Sequence, residues 1–477
     1  MLTLYDRLAE YGRSDYYGFH MPGHKRQLNM LGIEPPYAID ITEIEGFDDL
    51  HHADGILKSA QERAAKVYQG DETHFLVNGS SVGILSAIAG VTRRGDTILV
   101  ARNCHKSVYH AIEMYGLNPV YLTPGFHASV RMNKEICVED VREALEKNPK
   151  IRAVVIVSPT YEGVVSDVEA ISKEVHKREI PVIVDEAHGA HFGFHPYFPE
   201  NSNKKGADIV IHSLHKTLPS LTQTALLHMN GELVRREKVR KYLHMLQSSS
   251  PSYVLMASMD SCVDLLEKQQ KELFVPYVEK LKALRGELLR LKNLKLVWTD
   301  RYDPSKLVIS AENTGLTGRQ LSHILLEEYH LQMEMAAGEY VLAMTSVGDT
   351  QEGFRRLSCA LREIDRGQQT RVSGQKKKKN IPCLPTPDVV YNSSKIEELR
   401  EHFWGSGENE IEFRLWTDSV GYVSLEYAYL YPPGIPLIVP GERVSQEAVD
   451  VLQWYHEMGF SIEGLKREFS IEVLAHG

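Results

Sequence analysis

The sequence predicts an α/β fold built on one large, mostly parallel sheet, with smaller α/β units after it. Three observations predict it. Short apolar runs alternate with helix-period segments from the "HFLVNG" stretch at 74–79 to "ADIVIHS" at 207–213, the pattern of a parallel sheet with helices on both faces. Runs such as Ala153–Val157 and Ile180–Val184 are nearly continuous in apolar residues, as strands buried on both sides require. No repeat at a period of roughly 20–50 residues interrupts this order, which excludes a solenoid or propeller.

The elements follow in sequence. "HFLVNG" reads as a strand ending in a turn, and "SSVGILSAIAGVTRRG" as the helix after it. "DTILVARN", "NPVYLTP", "IRAVVIVSP", "IPVIVDEAH" and "ADIVIHS" read as further strands. "HKSVYHAIEMYG", "EDVREALEKNP" and "DVEAISKEVHKRE" carry the helical period between them. From about residue 256 to 295 the pattern is one long helix or a helical pair. "LKLVWTD", "KLVISAEN", "GRQLSHILLEEYH" and "YVLAMTS" then restart the alternation as a smaller α/β unit. "RGQQTRVSGQKKKKNIPCLPTP" breaks every periodicity and reads as a solvated linker, its Lys376–Lys379 run included. A last unit contains "LYPPGIPLIVPGE", whose prolines impose a rigid loop rather than a helix. The resulting division is an N-terminal arm (1–35), a large domain (36–255), a connecting helix with a small α/β domain (256–370), a linker (371–388) and a C-terminal α/β domain (389–477).

Composition bounds the function. The 477 residues are 43% apolar and 25% charged, an ordinary globular mix with length enough for several domains. A net charge of −10 gives no footprint for nucleic acid. The five cysteines, Cys104, Cys137, Cys262, Cys359 and Cys383, form no CxxC pair, which argues against a zinc ribbon or a disulfide framework and fits a reducing compartment. The N-terminal "MLTLYDRLAEYGRSD" reads as a short amphipathic helix without a signal peptide's apolar core, and no membrane-length apolar run exists. The expectation is a cytoplasmic protein.

Ligands of open parallel sheets bind beyond the carboxyl ends of the strands. Those ends carry Asn78-Gly79-Ser80-Ser81, Asn103-Cys104-His105-Lys106, Ser158-Pro159-Thr160-Tyr161, Asp185-Glu186-Ala187-His188 and His212 through Lys216. Gly79-Ser80-Ser81 opens a helix, where free N–H groups suit a phosphate or simply a serine cap. Asp185 ends a buried strand and needs a cation or strong donors: a metal, a proton, a ring nitrogen or a cap. A desolvated Lys216 loses proton affinity and becomes an amine nucleophile. Three chemistries compete. "DEAH" at 185–188 spells an ATPase motif, but the nearest phosphate-loop string, Gly18 to Lys25, is out of register and lacks the Ser/Thr. Asp185, His188 and His191 have possible zinc spacing, without a fourth ligand. Pyridoxal 5'-phosphate needs a phosphate cup, a ring stacker, a carboxylate and a Schiff-base lysine, and all four occur in that order.

"DIVIHSLHKTLPSLTQTA" at 208–225 resembles the lysine-attachment signature of the bacterial ornithine/lysine/arginine decarboxylases. "FHMPGHK" (19–25), "DITEIEGFDDLHHADGIL" (40–57), "FLVNGSSVGIL" (75–85), "RNCHKSVYHA" (102–111), "SPTYEG" (158–163), "VDEAHGAHF" (184–192), "LQSSSPSY" (246–253) and "YPPGIPLIVPGE" (431–442) resemble that family's blocks in order, over nearly the whole chain. The resemblance implies the aspartate-aminotransferase-like fold (fold type I) and decarboxylation of arginine, lysine or ornithine to an amine and carbon dioxide. It implies that Lys216 carries the cofactor's aldehyde, Asp185 holds its pyridine nitrogen protonated and His105 stacks on the ring. Gly79, Ser80, Ser81, Ser213 and His215 would hold the phosphate, with Ser250 reaching it from a neighbouring subunit. His188 would lie near the phenolic oxygen and Thr160 at the cofactor's edge, and Lys216 or His188 would return the proton to Cα. "FHMPGHK" would be a substrate loop lent across a homodimer. Against larger relatives, the expectation is a short form without an N-terminal wing before "FHMPGHK", and Leu218-Pro219 follows the lysine where many relatives have small residues. Transamination on the same fold and an inactive cofactor-binding paralogue are the competing readings. Glu43, Asp48, Glu426 and Glu442 are the candidate carboxylates for a basic side chain, each equally suited to a salt bridge.

Overall fold

The structure is a computed structural model, which describes residues 15–19, 25, 41–44, 47–127, 132–367, 385–406, 410–430 and 434–475. The expected N-terminal helix, the Lys376–Lys379 run, most of "FHMPGHK" and the start of "YPPGIP" lie outside these residues.

A seven-stranded sheet organises the large unit, in the order Glu72–Leu76, Ala225–Met229, Ile209–Ser213, Val182–Asp185, Ile151–Val157, Thr97–Ala101, Asn118–Leu122. The last five run parallel to one another. Ala225–Met229 runs antiparallel to both its neighbours and is buried along its whole length. The sequence reading places no strand there, because "ALLHM" lacks both an alternating pattern and a helix on either side to frame it. Val182–Asp185 and Ile209–Ser213 are buried at every position, as their unbroken apolar character requires.

Helices cover both faces. Gly79–Val91 packs through a nearly all-buried surface that includes Val82, Ile84, Ala87 and Ile88. The long helix Tyr253–Leu288 bends at Gln269, where the backbone leaves helical geometry, and links the large unit to the small one. One apolar cluster follows it, from Tyr68 and Phe75 through Met259 and Phe274 to Leu307 and Val341. The small unit's sheet, Lys295–Val297, Lys306–Ser310, Tyr340–Met344 and Met335–Ala337, is antiparallel throughout. Within "YPPGIPLIVPGE" the expected loop is partly a strand, Ile435–Ile438, paired with Ala428–Leu430. It is an edge strand, so the missing N–H of Pro436 costs no ladder bond that an inner strand would need.

The C-terminal unit docks on the large one beside His105. The Lys106 N–H donates to Gly434 O (3.1 Å), and Tyr427 donates to Glu113 (2.5 Å). Arg102, fully buried, pairs with buried Glu442 at 2.9 Å and lies over the rings of Tyr121 and Tyr109. Among the described residues no helix is long and apolar enough to cross a membrane.

Candidate active site

Lys216 sits on a single helical turn, Leu214–Thr217, directly after the strand Ile209–Ser213. Its Nζ lies 2.9 Å from His188 Nε2. Burial lowers the proton affinity of Lys216 below the usual lysine range, against the opposing charges of Asp185 and Glu334. Burial also holds His188 well below the usual histidine range, with the Lys216 charge adding to it. His188 is therefore neutral, its Nε2 accepts from Lys216, and its Nδ1 carries the proton. Among the described residues that buried Nδ1 has no hydrogen-bond partner.

Asp185 ends the neighbouring strand, 4% exposed, and accepts from the Ala187 N–H at 3.1 Å. Burial raises its carboxyl above the ordinary range, while the Lys216 charge opposes that rise. His105 caps the helix Lys106–Tyr115, its Nδ1 accepting from the Ser107 N–H at 3.3 Å. Burial, then the charge of Lys216, depresses it to about 3, so its ring is neutral and suited to stacking. His215 is depressed to about 4 by burial, and its Nδ1 donates to Thr224 O at 3.0 Å. Lys216, Asp185, His188, His105 and His215 thus share one electrostatic neighbourhood.

Gly79 adopts φ +75°, a left-handed geometry that favours glycine, and starts the helix whose first turn carries Ser80 and Ser81. Asn78 makes no side-chain cap there, so the first-turn N–H groups are not capped by it. Ser213 is fully buried, and among the described residues its Oγ has no hydrogen-bond partner. A buried hydroxyl left unpaired is costly unless a ligand or water completes it. Orphaned Ser213 Oγ and His188 Nδ1, a desolvated carboxylate and a desolvated lysine form a donor set that fits pyridoxal phosphate. Its phosphate, phenolic oxygen, ring nitrogen and aldehyde need a hydroxyl, an N–H, a carboxylate and an amine respectively.

The Thr160 hydroxyl is engaged in its own turn, donating to Glu162 (3.1 Å) and accepting from the Val164 N–H (3.1 Å). Ser250 is exposed, two residues beyond Ser248, whose N–H donates to Asn78 (3.1 Å). His191 turns away from His188 to Asp303, at 3.1 Å, so "DEAHGAH" does not gather its histidines. His212 also leaves Lys216 behind. It joins a buried chain in which Thr73 donates to His228 (2.7 Å), His228 to His212 (3.0 Å) and His212 to Glu186 (2.8 Å). Glu186 also accepts from the Ser202 N–H, and a carboxylate that only accepts sets that one direction along the chain.

The four carboxylates considered for a basic side chain do not converge on Lys216. Partial burial pushes the Asp48 carboxyl up, but the N–H groups of Asp54, Asp49, Gly55 and Lys58 donate to it and together hold it at about 2. Glu426 accepts from the Lys466 and Glu472 N–H groups, and Glu442 holds Arg102. Glu43 is exposed. Sequence reasoning missed Glu334, which accepts the Tyr161 hydroxyl, whose ring lies 4.5 Å from that of His188. The available signal was a carboxylate set among methionines in "LQMEMAAG", an expensive place for a charge without a task.

Residues 3–302 match the family model described as Orn/Lys/Arg decarboxylase, major domain, and residues 406–470 match its C-terminal domain. The chain is 37% identical to the Bacillus subtilis (strain 168) protein described as uncharacterized protein YaaO, over 97% of this chain and 95% of that one. It is 31% identical to an arginine decarboxylase of Bacillus anthracis, over 97% of this chain and 94% of the relative. Among solved structures, the lysine decarboxylase LdcF of Francisella novicida superposes with a TM-score of 0.77 at 22% identity, covering 89% of this chain and 73% of that one. That likeness is one of fold.

Proposed function

This chain belongs to the Orn/Lys/Arg decarboxylase family, amino-acid decarboxylases that use pyridoxal 5'-phosphate, and from that premise we propose that its substrate is arginine. The observation that carries the proposal is the near full-length similarity to an arginine decarboxylase, in a chain that keeps the Lys216–His188–Asp185 arrangement.

When bound, pyridoxal phosphate supplies the electron sink for loss of the α-carboxyl group as carbon dioxide. In this reading Asp185 would keep negative charge at the ring nitrogen, and neutral His105 would lie against the ring. Gly79, Ser80, Ser81, Ser213 and His215 would hold the phosphate, and Thr160 would act only through the backbone turn that it closes. Lys216, its hold on the proton weakened by burial, would supply the amine that the substrate's amino group replaces. The Lys216 Nζ–His188 Nε2 contact would then move the proton that returns to Cα. A homodimer would complete the site: Ser250 is exposed, as are Phe47 and Met245 on the segments joined by the His51–His244 ring contact. The holoenzyme is expected to sediment at the mass of two chains; a monomer with full activity would refute the shared site.

The central test is carbon dioxide release from arginine, lysine and ornithine in parallel, with Lys216→Ala as control. Release from arginine is expected, reduced by at least about 10³-fold in Lys216→Ala, the scale of losing a group that works at the reacting centre. Preferential release from lysine or ornithine would overturn the substrate, and release unaffected by Lys216→Ala would overturn the site.

A further inference from the structure

A basic substrate carries a second positive charge at the far end of its side chain, and a site that prefers it must place a carboxylate there. The candidate must sit near Lys216 without touching it, since Lys216 marks the α-amino end. Asp185 is excluded by its assigned place at the ring nitrogen. Asp303 and Asp349 are essentially fully buried and occupied: Asp303 by His191 and Ser305, Asp349 by Tyr17 and the Ser346 N–H. Glu162 spends one oxygen on the Tyr340 hydroxyl (3.0 Å) and the other on Thr160 (3.1 Å).

Glu334 has the required relation. It lies between the short strands Leu331–Met333 and Met335–Ala337 of the small unit and is only partly buried. A continuous line of contacts leads to it from Lys216: to His188 at 2.9 Å, across the His188–Tyr161 ring contact at 4.5 Å, and through the Tyr161 hydroxyl to Glu334 Oε1. It is therefore two side chains removed from Lys216. Its charge raises the proton affinity of Lys216, His215, Lys25 and Lys306, so its field covers the space that these groups surround. Glu334 and Lys216 come from different units, so the packing of the small unit against the large one sets the length of side chain that fits between them.

We propose that Glu334 binds the distal cationic group of the substrate, with Tyr161 as its positioning residue; the assignment rests on the decarboxylase reading above. An anionic partner removed from a largely desolvated charge pair weakens binding by about 30-fold or more. The test uses cofactor-loaded wild type, Glu334→Gln, Glu334→Asp and Tyr161→Phe. Two quantities are measured: kcat and KM for arginine, and the affinity for arginine and its neutral isostere citrulline by titration of the cofactor's absorption band. Glu334→Gln is expected to raise the arginine KM by about 30-fold or more, to change kcat by less than about 3-fold, and to abolish the preference for arginine over citrulline. Glu334→Asp should fall between, and Tyr161→Phe, which keeps the ring on His188, should raise KM several-fold. An unchanged arginine-to-citrulline preference in Glu334→Gln overturns the proposal. If wild type releases no carbon dioxide from any basic amino acid, the decarboxylase reading falls, and the band titration still decides whether Glu334 reads the distal charge. Should Glu334→Gln fail to load cofactor, Glu334→Asp and Tyr161→Phe decide it by the same ratio.

Discussion

Asp185→Asn is expected to lower kcat for decarboxylation by on the order of 10³-fold while leaving the fold intact. The substitution keeps the shape and removes the charge. A unit charge facing another at about 4 Å in an environment of effective dielectric near 20 is worth about 4 kcal/mol, which corresponds to roughly a thousandfold in rate. Asp185 is buried within reach of the Lys216 charge, where little solvent screens it. The same substitution should lower the proton affinity of Lys216 further, since Asp185 is the largest charge opposing the loss that burial causes. The check is kcat and KM across pH for the two proteins, with cofactor content measured in each. A kcat within about tenfold of wild type would remove Asp185 from its assigned role.

Arg102→Met is expected to destabilise the protein by about 3–5 kcal/mol, because it leaves Glu442 buried and uncompensated. The pair is 1% and 5% exposed, and Glu442 also accepts from the Val439 N–H at 3.0 Å, so the carboxylate cannot turn to solvent without breaking a second bond. Replacing both partners with Met should recover much of the loss, since two apolar side chains bury without a desolvation cost. Denaturant unfolding of both variants checks this, and equal loss in the single and double variants would show that packing rather than charge carries the effect. The single variant should also weaken cofactor retention. Arg102 lies just before His105, and the unit that Glu442 belongs to supplies Gly434 O to the first turn of the adjoining helix.

Much of this was legible before any coordinates. Lys216, Asp185, His188 and His105 follow from one rule, that ligands sit beyond the carboxyl ends of parallel strands, applied to strands whose apolar runs are unmistakable. Less legible were the strands Ala225–Met229 and Ile435–Ile438. A short run buried on both faces has no alternation to mark it as a strand, and proline excludes a strand only when the neighbours demand its N–H. The histidines show the limit well. "HSLH" and "DEAHGAH" each offer two, and in each only one turns toward Lys216's neighbourhood as a site residue, His215 and His188, while His212 and His191 enter buried pairs with Glu186 and Asp303.

The sequence by itself determined the parallel strands, the helices between them and the residues that end each strand, because periodicity and local spacing encode which residues face inward and where a strand stops. Only the tertiary structure decided which carboxylate faces the site. Asp48, Glu426 and Glu442 lie in conspicuous blocks yet serve as anchors for N–H groups or a buried arginine. Glu334 lies in an inconspicuous one and meets Tyr161 across 173 residues. A carboxylate's role is set by the charges and donors that surround it, and those come from segments remote in the chain.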